Sequence, residues 1–178
     1  IKIKGNFELE KKLAEIGRLK PFHACEYTAF LIWANKFKKK LKVFTSSRKI
    51  NNKKLNLMIR YENVPKEKVK EYKKMARQWH EKIDKKFSNR IKLLRKPLQK
   101  INELLEQNYR IAVLTSDFYF HKENPVPHWI VVFKKEKNKY WICDSANGII
   151  SLTKKQLEEG WKINRKQGFS IQLVAYKE

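Results

Sequence analysis

The chain has 178 residues, with 42 Lys and Arg against 18 Asp and Glu, so its formal net charge at pH 7 is +24. This length fits one domain, and a hydrophobic fraction of 42% is enough to build a core. No stretch is apolar for long enough to span a membrane, and two cysteines are too few for a disulfide framework. Two thiols fit a reducing compartment, which predicts a cytoplasmic protein.

The positive charge is concentrated in the middle of the chain. Residues 38–107 hold 23 Lys and Arg and 7 Asp and Glu, a net charge of +16. A surface of this kind attracts polyanions through counterion release, so nucleic acid or another acidic partner is expected to bind there. A solvated lysine-rich surface is the alternative interpretation, since no nucleic-acid-binding motif accompanies the charge.

Helical periodicity dominates the first half of the chain. Asn6 can cap a short helix that ends at Gly17, and a second helix, apolar on nearly all sides, is predicted over residues 24–40. Spacings of three and four predict further helical structure over residues 65–94, and Pro97 begins another helix. A strand is predicted between these helices from an alternating pattern, which consists of Leu55, Leu57, Ile59 and Tyr61.

From residue 109 onward the pattern changes to β-strands. A short polar turn joins two of them into a hairpin, and the Thr153–Gln156 capping box begins a helix that ends at Gly160. Helices first and strands last predict an α+β fold, a single domain over residues 1–178 with an antiparallel sheet near its C-terminus. The predicted strands are 109–115, 129–133, 140–143, 149–152 and 169–176.

Cys25 stands where the buried helix begins, directly after the extended segment 21–24. The dipole and free amides of a helix N-terminus stabilise a thiolate and can also hold an oxyanion, which predicts a nucleophile. Simple packing is the alternative interpretation, because cysteine is among the most buried residue types.

His128 and Asp144 are the residues that make a catalytic interpretation of Cys25 attractive. His128 begins one strand of the predicted hairpin, and Asp144 ends the other sixteen residues later. A hairpin returns the chain to its starting level, so the carboxylate is expected beside the imidazole. Such a pair can accept the proton of a thiol, with Asp144 orienting the ring of His128.

The hairpin sequence resembles a known family. The run from His128 to Phe133, a polar turn, and the run from Tyr140 to Gly148 are similar to the His-strand-turn-strand-Asp segment of bacteriocin-leader-processing peptidases, members of the papain-like superfamily. The resemblance covers residues 97–176, and residues 19–37 more loosely. It implies a papain-like fold, with N-terminal helices packed on the C-terminal sheet. It also implies a catalytic triad, matched by Cys25 as nucleophile, His128 as general base and Asp144 as orienting carboxylate.

Three departures from that family pattern bear on activity. The glutamine that usually precedes the cysteine as an oxyanion donor is missing, and His23, Lys20 or backbone amides alone are the candidate replacements. The small residues that usually follow the cysteine are replaced by Glu26 and Tyr27. The basic segment of about residues 42–96 has no counterpart in the family and is predicted to be a helical insertion.

The sequence thus predicts a cysteine-dependent peptidase or amide acyl-transfer enzyme that acts on a peptide or protein. A catalytically idle papain-like module that binds nucleic acid is one alternative. A transglutaminase-like acyl transferase is another, although the sixteen-residue spacing and the lack of Gly-Trp before Cys25 count against it. No cofactor or metal site is predicted, because the histidines and cysteines have no metal-ligand spacing.

Overall fold

The computed structural model describes residues 15, 20–22, 26–119, 121–123 and 125–177. These residues form five α-helices and seven strands, together with 3₁₀ turns at Lys66–Lys68 and Ser88–Arg90. The helices are Tyr27–Lys36 (α1), Asn52–Tyr61 (α2), Val69–Lys86 (α3), Pro97–Glu106 (α4) and Lys154–Lys166 (α5). The strands are Lys42–Thr45 (β1), Ile91–Leu93 (β2), Arg110–Ser116 (β3), Pro127–Glu136 (β4), Lys139–Asp144 (β5), Gly148–Thr153 (β6) and Gln172–Tyr176 (β7).

All seven strands lie in one sheet, in the order β2-β1-β7-β3-β4-β5-β6. Every neighbouring pair is antiparallel except β1 and β2, which are parallel. Strand β7 lies between β1 and β3, so it joins the early part of the chain to the hairpin strands.

Helices cover both faces of the sheet, because side chains alternate between the two faces along each strand. On one face, Ile111 and Val113 of β3 belong to a core cluster that also contains residues of α4 and α5. On the other face, Ala112 and Leu114 pack in clusters with residues of α1, α2 and α3. The sheet is therefore the middle layer of a mixed α/β fold, which is consistent with the papain-like architecture.

The predicted hairpin is present as β4 and β5, and the strands predicted before and after it are present as β3 and β6. The capping box is also confirmed: the Thr153 side chain accepts from Gln156 N, and the helix it begins continues past Gly160 to Lys166. The last strand begins at Gln172 rather than at residue 169. The buried helix ends at Lys36 rather than Lys40. The predicted first helix lies outside the described residues except for Glu15, which is helical.

The predicted strand over residues 55–61 is wrong, because this segment is helix α2. Asn51 caps the helix by accepting a hydrogen bond from Lys54 N at 3.0 Å, and Leu55 and Met58 are buried one turn apart. The apolar residues of this segment fit a period of two as well as a helix, and the capping interaction decides between them.

The central basic segment is not purely helical. It contributes β1 and β2 to the sheet, so the expectations of a helical insertion and of a wholly antiparallel, C-terminal sheet are both wrong in this respect. The physical reason is that both strands depend on distant partners: β1 pairs with β7, and β2 pairs with β1. Neither short run shows a strand pattern by itself.

Candidate active site

The hairpin of β4 and β5 positions the two side chains expected to act on a thiol. Val131 pairs with Cys143 and Val132 with Ile142, and the register shifts by one residue just beyond Val132. Continued toward the open end of the hairpin, this register brings Asp144 opposite Ile130, two residues from His128 on the same face. Such diagonal neighbours lie within reach of a long side chain.

His128 and Asp144 are joined by a short hydrogen bond. His128 Nε2 lies 2.6 Å from Asp144 Oδ2. The carboxylate is fully buried, whereas the imidazole is 26% exposed. One end of the pair is thus fixed inside the protein and the other is accessible from solvent.

A turn holds the second carboxylate oxygen. Asp144 Oδ1 accepts from the backbone N–H groups of Ala146 and Asn147 at 2.8 and 2.9 Å, and from Asn147 Nδ2 at 3.0 Å. The turn that follows β5 therefore fixes the carboxylate independently of His128.

These contacts keep the carboxyl group ionised. Burial alone raises the pKa of Asp144, but hydrogen bonds from Ala146, Asn147 and His128 outweigh burial and lower the pKa below its ordinary value. An ionised carboxylate can only accept, so His128 Nε2 donates to it. Nδ1 is then the ring nitrogen that can take a proton, as a general base requires.

Of the other predicted site residues, Cys25 and His23 lie outside the described residues. Lys20 is exposed, and its Nζ lies 5.3 Å from the ring centroid of Trp79. Trp79 packs in the same clusters as Trp129, the residue after His128.

Helix α1 begins near the same end of the strands as His128. The residue after Cys25 in the sequence, Glu26, is the N-cap of α1. The first helical amide, Tyr27 N, donates to Gln172 Oε1 of β7 at 3.0 Å. Gln172 pairs with Leu114, which pairs with Trp129. The start of α1 is therefore tied to a strand about 10 Å, or two strand spacings, from the strand that carries His128.

The body of α1 also contacts the strand of His128. The rings of Phe30 and Trp129 pack edge to face with their centroids 4.8 Å apart. Helix α1 therefore crosses from β7 to β4 on the face that the buried residues Ala112 and Leu114 line.

A buried polar network that sequence reasoning did not predict surrounds Glu26. Lys54 of α2 forms an ion pair with Glu26, and Gln172 Nε2 donates to Glu26 Oε1 at 3.3 Å. His80 Nδ1 of α3 lies 3.5 Å from Glu26 Oε2. All four residues are at most 4% exposed. They come from four distant parts of the chain, so no local pattern could have grouped them.

A His–carboxylate pair lies at one end of the strands of a largely antiparallel sheet, and helix α1 begins at the same end. Residues 81–165 match the model of the peptidase C39 family, a papain-like family that includes bacteriocin-processing peptidases. The matched segment contains His128 and Asp144 and begins after Cys25. The match covers slightly less than half of the chain and confirms the resemblance predicted from the sequence. No curated protein and no solved structure matches the chain.

Within the described part of the chain, no helix combines the length and the apolar character needed to cross a membrane.

Proposed function

We propose that this chain is a cysteine peptidase, or a related amide acyl-transfer enzyme, with Cys25, His128 and Asp144 as its catalytic residues. The observation that carries the proposal is the 2.6 Å contact between a partly exposed imidazole and a buried carboxylate, within a segment that matches a cysteine peptidase family. The start of α1 at the same end of the strands supports Cys25 as the third catalytic residue.

The proposed reaction has two steps. His128 Nδ1 accepts the Cys25 proton as the sulfur attacks the carbonyl carbon of a peptide bond. The tetrahedral intermediate then collapses, the C–N bond breaks, and the imidazolium gives its proton to the leaving amine. Water, activated by the neutral His128, next attacks the thioester and releases the acid and the free thiol. An amine in place of water gives acyl transfer, which is the transglutaminase-like alternative.

The oxyanion site of this reaction remains a separate proposal. Backbone N–H groups at the start of α1 are the candidates from this helix, except for Tyr27 N, which Gln172 already occupies. Lys20 and His23 remain the side-chain candidates, as the sequence suggested.

Thiol reactivity tests the proposal before any substrate is known. In a Cys143→Ser background, the alkylation rate of Cys25 measured against pH gives its thiol pKa. We expect a value well below that of a free thiol, and we expect His128→Ala to raise it. A normal thiol pKa that does not respond to His128→Ala would contradict the proposal. Hydrolysis of a peptide library, abolished by Cys25→Ala, would then identify substrates.

We also propose that residues 1–178 act as one domain, with the basic segment 42–96 built into it rather than attached to it. The strands β1 and β2 support this, because they extend the same sheet that carries His128.

A second candidate function is nucleic-acid binding. It is favoured by the positions in the fold of two stretches that contain no acidic residue. Residues 27–61 and 85–102 contain no Asp or Glu. Because β1 and β2 are parallel, the residues just before each strand lie at the same end of the sheet, and Arg90 Nη2 donates to Lys39 O at 3.3 Å. Lys86 and Arg90 both lie over the ring of Phe87. We call this surface the basic edge; its residues are Lys38, Lys39, Lys40, Lys86 and Arg90.

Duplex DNA is the probe for the basic edge. We expect binding that weakens steeply with salt, and we expect Lys38→Ser, Lys39→Ser and Lys40→Ser together to flatten the salt dependence by about 0.9 per lost phosphate contact. The control replaces three lysines of α5, Lys154, Lys155 and Lys162, which changes the net charge equally. Equal weakening by both triple variants would show that net charge alone, rather than this surface, drives binding.

A further inference from the structure

The network around Glu26 places charged side chains in the protein interior, where their desolvation is unfavourable. Glu26 and Lys54 are 1% and 4% exposed, and burial lowers the pKa of Lys54 to about 7. A buried ion pair of this kind is often replaceable by apolar side chains without loss of stability. Stability alone therefore gives no reason for such a pair at this position.

The contacts of Glu26 instead point to control of the start of α1. Its carboxylate accepts from Gln172 Nε2, which orients the Gln172 amide so that Oε1 faces Tyr27 N. Ser170 Oγ also lies 3.2 Å from Gln172 Nε2. The Nε2 end of the Gln172 amide thus faces two acceptors and the Oε1 end faces a donor, so the amide has one favoured orientation.

Side chains of α1, α2, α3 and the segment after β1 lie around the network. His80 Nε2 lies 2.7 Å from Arg48 O and must donate to it, which leaves Nδ1 facing Glu26 without a hydrogen while the ring is neutral. Burial lowers the pKa of His80, which favours that neutral form. Besides Lys54, which belongs to the network, the charged and titratable groups near His80 include Asp84 of α3, Tyr27 of α1 and Arg48 after β1.

We propose that Glu26, together with Lys54 and Gln172, is a positioning network that fixes the first turn of α1 and thereby aligns the reactive Cys25. This inference rests on the proposed function, since it needs Cys25 to be the nucleophile. The covalent link carries the effect: consecutive Cα atoms are about 3.8 Å apart, so a shift of Glu26 is passed directly to residue 25. Misplacement of a reacting group by about 1 Å can lower its rate by roughly 100-fold.

Apolar replacement of the pair separates positioning from stability. In the Cys143→Ser background, Glu26→Leu with Lys54→Met keeps the packing, and we expect a melting temperature near that of the parent. Gln172 Nε2 then loses its carboxylate acceptor and keeps only Ser170 Oγ, which holds the amide less firmly. We expect the alkylation rate of Cys25 at neutral pH to fall about tenfold, with a raised thiol pKa.

Two further variants make the result interpretable. Met58→Ala, one turn beyond Lys54 on α2, removes a buried side chain outside the network and is expected to lower the melting temperature with Cys25 reactivity unchanged. Glu26→Gln keeps an acceptor for Gln172 and is expected to retain most of the reactivity; a large loss of reactivity in this variant, with its melting temperature unchanged, would contradict the proposal even if the double variant does not fold.

The outcomes distinguish the two proposals. If His128→Ala lowers Cys25 reactivity but neither Glu26 variant does, the positioning network is refuted and the proposed enzyme survives. If the double variant keeps both the stability and the Cys25 reactivity of the parent, the network has no positioning role. If His128→Ala leaves Cys25 reactivity unchanged, the proposed function itself has failed, and the network with it.

Discussion

Replacing Asp144 by Asn tests the histidine–carboxylate pair with little change in shape. The asparagine oxygen can still accept from the N–H groups of Ala146 and Asn147, which bind the Oδ1 side of Asp144 at 2.8 and 2.9 Å. Its amide nitrogen then faces His128 Nε2, where two donors meet. The imidazole must either lose this contact or move its proton to Nδ1, the nitrogen that has to accept the thiol proton.

The magnitude follows from the bond that is lost. A hydrogen bond between an imidazole and a carboxylate at 2.6 Å is charge-assisted, and its loss costs about 2 kcal/mol. If all of this acts on the imidazolium formed during the reaction, alkylation of Cys25 near neutral pH falls roughly 30-fold. Asp144→Ala should show a similar loss of reactivity and a further loss of stability, about 3 kcal/mol, because the turn N–H groups also lose their acceptor.

The assay is iodoacetamide alkylation of Cys25 across pH in the Cys143→Ser background, with thermal unfolding measured on the same samples. Asn147→Ala is the matched control, because it removes only a side-chain contact with Oδ1 and leaves Oδ2 and His128 untouched. An unchanged pH profile for Asp144→Asn would refute the reasoning, since the carboxylate would then have no influence on the thiol.

Three further predictions concern stability. Gly160→Ala should destabilise the fold by about 2 kcal/mol or more in urea unfolding, because a Cβ there would lie 2.2 Å from Thr115 Oγ1 and 2.7 Å from Tyr119 Oη; an unchanged midpoint would contradict this close packing. Thr153→Ala removes the cap of α5 and should lower stability by about 1 kcal/mol, a fall of roughly 2–4 °C in melting temperature. Because the folded-state pKa of Asp144 is lowered, the stability it contributes is complete above about pH 4 and is lost as the pH falls through that lowered pKa. The difference in unfolding free energy between the parent and Asp144→Asn should therefore shrink in acid, and a constant difference would argue against the shift.

The hairpin was predictable because its signals are local. β-rich runs over residues 129–133 and 140–143 and a short polar turn between them indicate which strands pair, and the pairing brings Asp144 to His128. The family resemblance depends on the same residues, so two kinds of inference converge on one segment.

The sheet beyond the hairpin was less predictable because its strands depend on distant partners. β1 has four residues and β2 three, so neither is long enough to carry a recognisable periodic pattern. Residues 55–61 carry a pattern that fits both periods, and the deciding contact is the Asn51 cap. The network of Glu26 shows the same limit at the site: its partners Lys54 and Gln172 lie 28 and 146 residues away along the chain, and only the folded structure brings them together.

The position of β7 in the sheet has a consequence for the order in which the protein folds during synthesis. The ribosome delivers residues 172–176 after all the other strands, yet β7 joins β1 to β3 in the sheet. A nascent chain can form the β4–β5 hairpin early, since its contacts are local, and the sheet stays in two parts until β7 has emerged. Gln172, which holds the first amide of α1, arrives with that same strand. The helix that follows Cys25 therefore gains its anchor last, so synthesis itself delays completion of the proposed active site until the rest of the sheet has been made.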